Sequence, residues 1–229
     1  MACAHSLGQV LPCIGHLRDR MALFPQRRGT GDLYGGGGLC GFSDHPGHRL
    51  APHSKPGGIL MEERCLDAEE LKLLSRLFAY PEAPPAAADM AQIGAEWGKG
   101  LDNGAFRALQ AEYVRLFINA LPEVPCPPYG SVYLEGTLMG ESTVRLKNLY
   151  ARYGCQTDEM ADHIAVELEF LALLAAMKAE APVLEDYRFV LNHLHRWTPA
   201  FLAKVEEHDR LGFYGAVSRY AQKVLGAAR

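Results

Sequence analysis

A chain of 229 residues with 48% hydrophobic content carries enough apolar material for one sizeable buried core. The formal net charge of −4 is unevenly spread: residues 1–60 hold six Lys/Arg against three Asp/Glu, and residues 61–229 hold 17 against 24, local nets of +3 and −7. An acidic domain without a basic stripe argues against a nucleic-acid module, and no run reaches the ~18 apolar residues that a membrane span needs. The six cysteines (Cys3, Cys13, Cys40, Cys65, Cys126, Cys155) form no CxxC pair. That fits reduced thiols in a cytoplasmic protein better than a disulfide framework. The N-terminus has neither the charged start nor the apolar stretch of a secretory signal.

Residues 1–60 contain four consecutive glycines (35–38), scattered prolines and five of the nine histidines, with no sustained periodicity. They read as a disordered or non-native extension ahead of a domain at 61–229. Cys3, His5, Cys13, His16, Cys40, His45, His48 and His53 are metal-ligand types, yet their spacings match no zinc pattern. Arg27-Arg28 invites comparison with an export signal, but glycines and Asp32 follow where apolar residues should stand. The composition changes abruptly at GGILMEER, which points to Met61 as a natural start.

Helical grammar begins at Leu66. Asp67 is a helix cap, Glu70 completes a capping box, and Leu66 staples onto Leu71. Leu71, Leu74, Leu77 and Phe78 form the apolar face, which stops before Pro81. A shorter helix runs to about Trp97, and Asn103 caps the next, whose Phe106, Leu109, Tyr113, Leu116, Phe117 and Ala120 recur at helical spacing. Four prolines stiffen the loop at 122–130, which presents Tyr129 and, beyond Ser131, Tyr133. Ser142 caps a helix bearing Leu146, Leu149, Tyr150 and Tyr153, with Gly154 as its stop. Thr157 or Asp158 opens a longer helix with Met160, Ile164, Leu168, Leu171 and Ala175 as its stripe. Further helices fit 184–197, a start at Thr198-Pro199, and about 211–225. No alternating segment with hairpin signals follows residue 61, so the fold class is all-α, a single helical bundle.

On a helix opened at 157–158, His163 lies four residues from both Glu159 and Glu167, with Asp162 beside it. Such a group suits metal ligation, acid–base work, or a hydrogen-bonded contact between helices. A di-iron bundle needs a Glu-x-x-His pair on two helices, and that pair is missing. Tyrosines on a stiff loop beside carboxylates suit a peptide carrying both apolar and arginine side chains. There is no phosphate-cradling glycine loop between strand and helix, no G-x-S-x-G and no HExxH.

The chain resembles the TorD/DmsD family of molybdoenzyme assembly chaperones. The resemblance is carried by EYVRLF (112–117), PPYGSVYLE (127–135) with GEST (140–143), ADHIAVELEFLALL (161–174), and the run from HRWTPAF (195–201) to FYGAVSRYA (213–221). It implies a TorD-like helical domain that binds the twin-arginine leader of a molybdenum oxidoreductase's catalytic subunit, holds that enzyme while its cofactor is inserted, and delays export. It implies no cofactor and no catalysis for the chaperone itself. The family's leader-binding roles fall here on Tyr129, Ser131, Tyr133, Asp162 and His163, with Glu167 a neighbour. Tyrosines stand where many members have tryptophans, and DEMADH lacks the proline that often precedes the Asp-His pair. The rival reading is a helical metalloprotein or nucleotide-binding enzyme centred on His163 and Glu167. Oligomeric state is left open, a homodimer included.

Overall fold

The computed structural model describes residues 66–97, 99–177 and 181–227. The expected extension at 1–60, its Cys/His grouping and Met61 lie outside these residues. Among them are eight α-helices and no strand, as the sequence predicts. These are α1 (Ala68–Phe78), α2 (Ala87–Ile93), α3 (Asn103–Tyr113), α4 (Gly130–Glu135), α5 (Glu141–Arg152), α6 (Ile164–Met177), α7 (Ala181–His208) and α8 (Phe213–Gly226).

The centre is α6. Its sequence IAVELEFLALLAAM is apolar on nearly every side, and a helix of that kind must be covered all round. It packs against α1 and α7, while α7 also packs against α4 and α8. The apolar faces of the other helices then close one continuous core, with Leu71, Leu74, Leu116, Leu146, Leu171 and Trp197 fully enclosed.

Several ends differ from the sequence reading. Asp67 does cap α1, its Oδ1 accepting from the amides of Glu69 and Glu70 at 2.7 and 3.3 Å. The Glu70 carboxylate, however, accepts from the Tyr220 hydroxyl at 3.1 Å, tying α1 to α8. Asp102 rather than Asn103 caps α3, taking the Ala105 amide at 2.7 Å. Past α3 a π-helical turn, Val114–Ile118, carries Arg115, which clasps Glu112 at 2.6 and 2.8 Å and reaches the His208 carbonyl. Buried Glu112 also accepts from the Arg210 amide at 2.7 Å, so this end of α3 is fixed to the turn between α7 and α8.

The expected break at Thr198-Pro199 is absent: α7 runs unbroken from Ala181 to His208 with Pro199 inside it. A mid-helix proline costs about 3 kcal/mol by removing a donor and crowding the preceding turn. Here Leu194, Trp197, Phe201, Leu202 and Val205 are all buried along one face, and that packing outweighs the local cost. Thr198 turns its hydroxyl back onto the Leu194 carbonyl at 2.9 Å instead of opening a helix.

Because Leu171 is enclosed at the middle of the central helix, Leu171→Ala should lower stability by about 2–5 kcal/mol, the range for emptying a tightly packed site. Urea unfolding followed by circular dichroism checks this; a loss below about 1 kcal/mol would mean the site can collapse.

Candidate functional site

The proline loop and the segment before α6 meet. Tyr129 and His163 form an isolated antiparallel bridge: the Gly130 amide donates to the Asp162 carbonyl and the Ile164 amide to the Pro128 carbonyl, both at 2.9 Å. Each segment then starts a helix, and the Asp162-His163 pair serves both starts. Asp162 Oδ2 accepts from the Ser131 amide at 2.8 Å, satisfying the first turn of α4 from a distant part of the chain. His163 Nδ1 accepts from the Ala165 amide at 3.2 Å and its carbonyl from the Glu167 amide at 3.0 Å, which caps α6.

This geometry corrects four local expectations. The long helix opens at Ile164 rather than at Thr157 or Asp158, because the bridge between Tyr129 and His163 engages the Asp162 carbonyl and the Ile164 amide with the proline loop. Glu159, His163 and Glu167 therefore do not share a helix face; Glu159 lies in the preceding turn beside the Tyr129 hydroxyl. Ser131 and Tyr133 sit on α4, not on the loop. Nor does Ser142 cap α5: Glu135 takes the amides of Glu141 and Ser142 at 2.6 and 3.0 Å and the Ser142 hydroxyl at 2.5 Å.

All six expected residues are thus brought together, but unequally. Ser131, Asp162, His163 and Glu167 are between 0 and 3% exposed, whereas Tyr129 and Tyr133 are half-buried. The Tyr129 ring meets the His163 ring edge-on at a centroid distance of 5.3 Å. Tyr133 stacks on Trp197 at 5.6 Å and carries the Lys204 ammonium over its ring at 5.6 Å. Sequence reasoning missed His193 and Trp197 on α7. His193 Nδ1 lies 2.8 Å from Glu167 Oε2, and both rings crowd Gly130, where an added Cβ would stand 2.9 Å from His193 Cε1 and 3.0 Å from Trp197 Nε1. The available signal was the four-residue spacing of His193 and Trp197 in HLHRW, which puts them on one helix face.

The result is a buried polar node. Ser131 Oγ, Asp162 Oδ1, Glu167 Oε1, His193 Nε2 and Trp197 Nε1 have no hydrogen-bond partner among the described residues. Burial raises the Glu167 carboxyl to about 7, opposed by the His193 hydrogen bond and by the nearby Trp197 N–H, which favours the anion without closing a hydrogen bond of normal geometry. Burial also lowers His163, against the pull of Glu159 and Asp162. Among the described residues no group of three or more His, Cys, Asp or Glu side chains could hold a metal ion.

Beside the node opens a cavity of about 380 Å³ between α4, α5 and α7, walled by Leu134, Glu135, Arg145, Phe189, His193 and Arg196 among others. His193 belongs to both, since it meets Glu167 in the node and also lines the cavity.

Residues 83–203 match the nitrate reductase delta subunit family model. TorD chaperones are similar to this chain: that of Vibrio parahaemolyticus is 31% identical over 131 residues, and that of Shewanella pealeana 33% over 145. These matches cover 51 and 58% of this chain but 60 and 64% of the relatives, less than two thirds of their length. The crystal structure of a protein from Archaeoglobus fulgidus assigned to redox enzyme maturation superposes with a TM-score of 0.50 at 34% identity, covering 69% of this chain and 93% of that one. The fold and these matches together define an all-helical protein of the redox-enzyme-maturation class. The chain belongs to the TorD/DmsD family of molybdoenzyme assembly chaperones.

Two outcomes follow from the node. Asp162→Ala removes a buried charge-assisted bond from the start of α4 and should cost about 1–3 kcal/mol in urea unfolding, while Asp162→Asn, which keeps an acceptor, should cost less. Glu167 has a folded value of about 7 against an ordinary 4.5, so the folded chain binds the extra proton between those values. Its contribution to stability is complete below pH 4.5 and is lost as pH rises toward 7. His163 runs the other way, losing stability as pH falls through 6.5. The midpoint of wild type relative to Glu167→Gln should therefore fall between pH 4.5 and 7 and level off above; parallel pH profiles would refute it.

Proposed function

We propose that this protein is a cytoplasmic chaperone for a molybdopterin-containing oxidoreductase, binding the twin-arginine leader or apoprotein of the catalytic subunit while cofactor is inserted and so delaying export. Family membership supplies the class of partner, and the observation that carries the reading is the bridge joining the proline loop to the start of α6. It fixes half-exposed Tyr129 beside the Glu159 carboxylate, an aromatic and an anion side by side. A guanidinium is well matched by that combination, through carboxylate pairing and through the ring face. Ser131, Asp162, His163 and Glu167 act behind this surface: they set the backbone that carries Tyr129 and Tyr133 rather than touching the leader at their buried atoms. The chain's acidic excess over residues 61–229 adds long-range attraction for a cationic leader.

The full chain used as bait in extract from anaerobically grown cells of its own source should retain a molybdenum oxidoreductase catalytic subunit. A synthetic peptide of that subunit's leader should bind, and exchanging its two arginines for lysines should weaken binding roughly tenfold, because lysine cannot pair bidentately with a carboxylate. Retention of no such subunit, or equal affinity for the two peptides, would sink the reading.

A further inference from the structure

The cavity between α4, α5 and α7 is bordered by two arginines that the chain's own carboxylates leave unpaired among the described residues. In a domain with a surplus of carboxylates, Arg76, Arg115 and Arg152 each close on an aspartate or glutamate at 2.6–2.9 Å. Arg145 and Arg196 both face the cavity, are exposed, and make no ion pair among the described residues; Arg145 instead lies over the Phe189 ring at 5.1 Å. At the same wall stands His193, 5% exposed, whose Nε2 is buried and has no partner among the described residues. Two guanidinium groups that favour an anion therefore border one opening.

We infer that this cavity holds an acidic side chain of the bound client polypeptide, flanked by apolar residues; the inference rests on the chaperone reading above. The wall already accommodates a carboxylate of the chain's own, since Glu135 is held by two amides and a hydroxyl at the start of α5 and so is spent internally. Glu141 is the opposing charge on the wall and weakens the binding of any anion there. The surroundings suit a polypeptide as well. Leu134 and Phe189 line the cavity, and Leu138 and Met139, 53 and 72% exposed, stand in the short connection between α4 and α5. Peptide residues on either side of the acid would cover these apolar groups. The cavity is thus a second anchoring point for the client, next to the bridge but of opposite preference: carboxylate here, guanidinium at Tyr129 and Glu159.

The test uses the full chain and a short, labelled, amidated peptide with one glutamate between leucines, read by fluorescence anisotropy. Wild type should bind it about tenfold more tightly than the same peptide carrying glutamine, as expected for loss of a charge-assisted pair. The double variant Arg145→Gln/Arg196→Gln should lose about the same factor, and Glu141→Gln should gain affinity. Both arginines are exposed, so circular dichroism should be unchanged by their replacement. Inorganic phosphate at matched ionic strength should not displace the peptide; displacement would assign the cavity to phosphate and overturn the proposal. Equal binding of the two peptides, or binding indifferent to the arginines, would also overturn it, and if the client subunit were still retained the chaperone reading would stand. Arginine-dependent peptide binding without client retention would keep the cavity's preference for acids and remove its assignment to a client.

Discussion

The structure depends on two adjacent residues each beginning a different helix. Asp162 supplies the acceptor for the first turn of α4, and His163 supplies the one for α6. Helix starts leave amides that must find partners: the Ser131 amide finds Asp162 and the Ile164 amide finds the Pro128 carbonyl because the two segments lie alongside, while His163 meets the Ala165 amide locally. The Tyr129–His163 bridge and the two caps therefore meet in one short stretch of chain. Gly130 makes the approach possible, since α7 presses His193 and Trp197 to within about 3 Å of where a side chain would begin.

A node of this kind is a poor way to gain stability. Replacing a buried ionic pair by apolar groups is often neutral or favourable, and polar atoms left without partners are costly. Glu167 shows where that cost falls, because burial pushes its carboxyl up to about 7 despite the imidazole at 2.8 Å. What the node provides is register. An apolar contact between α6 and α7 would tolerate sliding, whereas Glu167 meeting His193, and Asp162 meeting the Ser131 amide, each allow one arrangement. The half-exposed tyrosines and the cavity wall inherit that arrangement, since both are carried on elements the node fixes.

The same constraint explains what could be read in the sequence. The all-α class, α1 with its Asp67 cap, and the apolar stripe of α6 follow from local periodicity and short-range hydrogen bonds. The start of α6 does not, because TDEMADH has the local makings of a helix N-terminus and is overruled by pairing with residues more than thirty positions away. Ser142 failed as a cap for a related reason: Glu135, six residues upstream, reaches the same amides with a full charge. Pro199 misled through its usual meaning, since its local cost is real but smaller than the burial of Trp197 and Phe201 on either side of it. His193 carried no warning beyond its spacing to Trp197, because its importance comes entirely from a helix it meets in space.

Charge and shape consequently do separate jobs. The excess of −7 over residues 61–229 acts at long range, but not every carboxylate contributes equally to it: Glu167 in the node is enclosed and pushed up to about 7, and Glu112, away from the node, is clasped by Arg115. Attraction of a cationic segment is then a property of the whole acidic surface, which many basic peptides would share. Discrimination has to come from the places where opposite charges are held at defined positions, the carboxylate beside Tyr129 and the Arg145 guanidinium over Phe189, which makes no ion pair among the described residues. A polypeptide satisfying both must present an arginine and an acid at a spacing set by the rigid node between them, a far narrower condition than net positive charge.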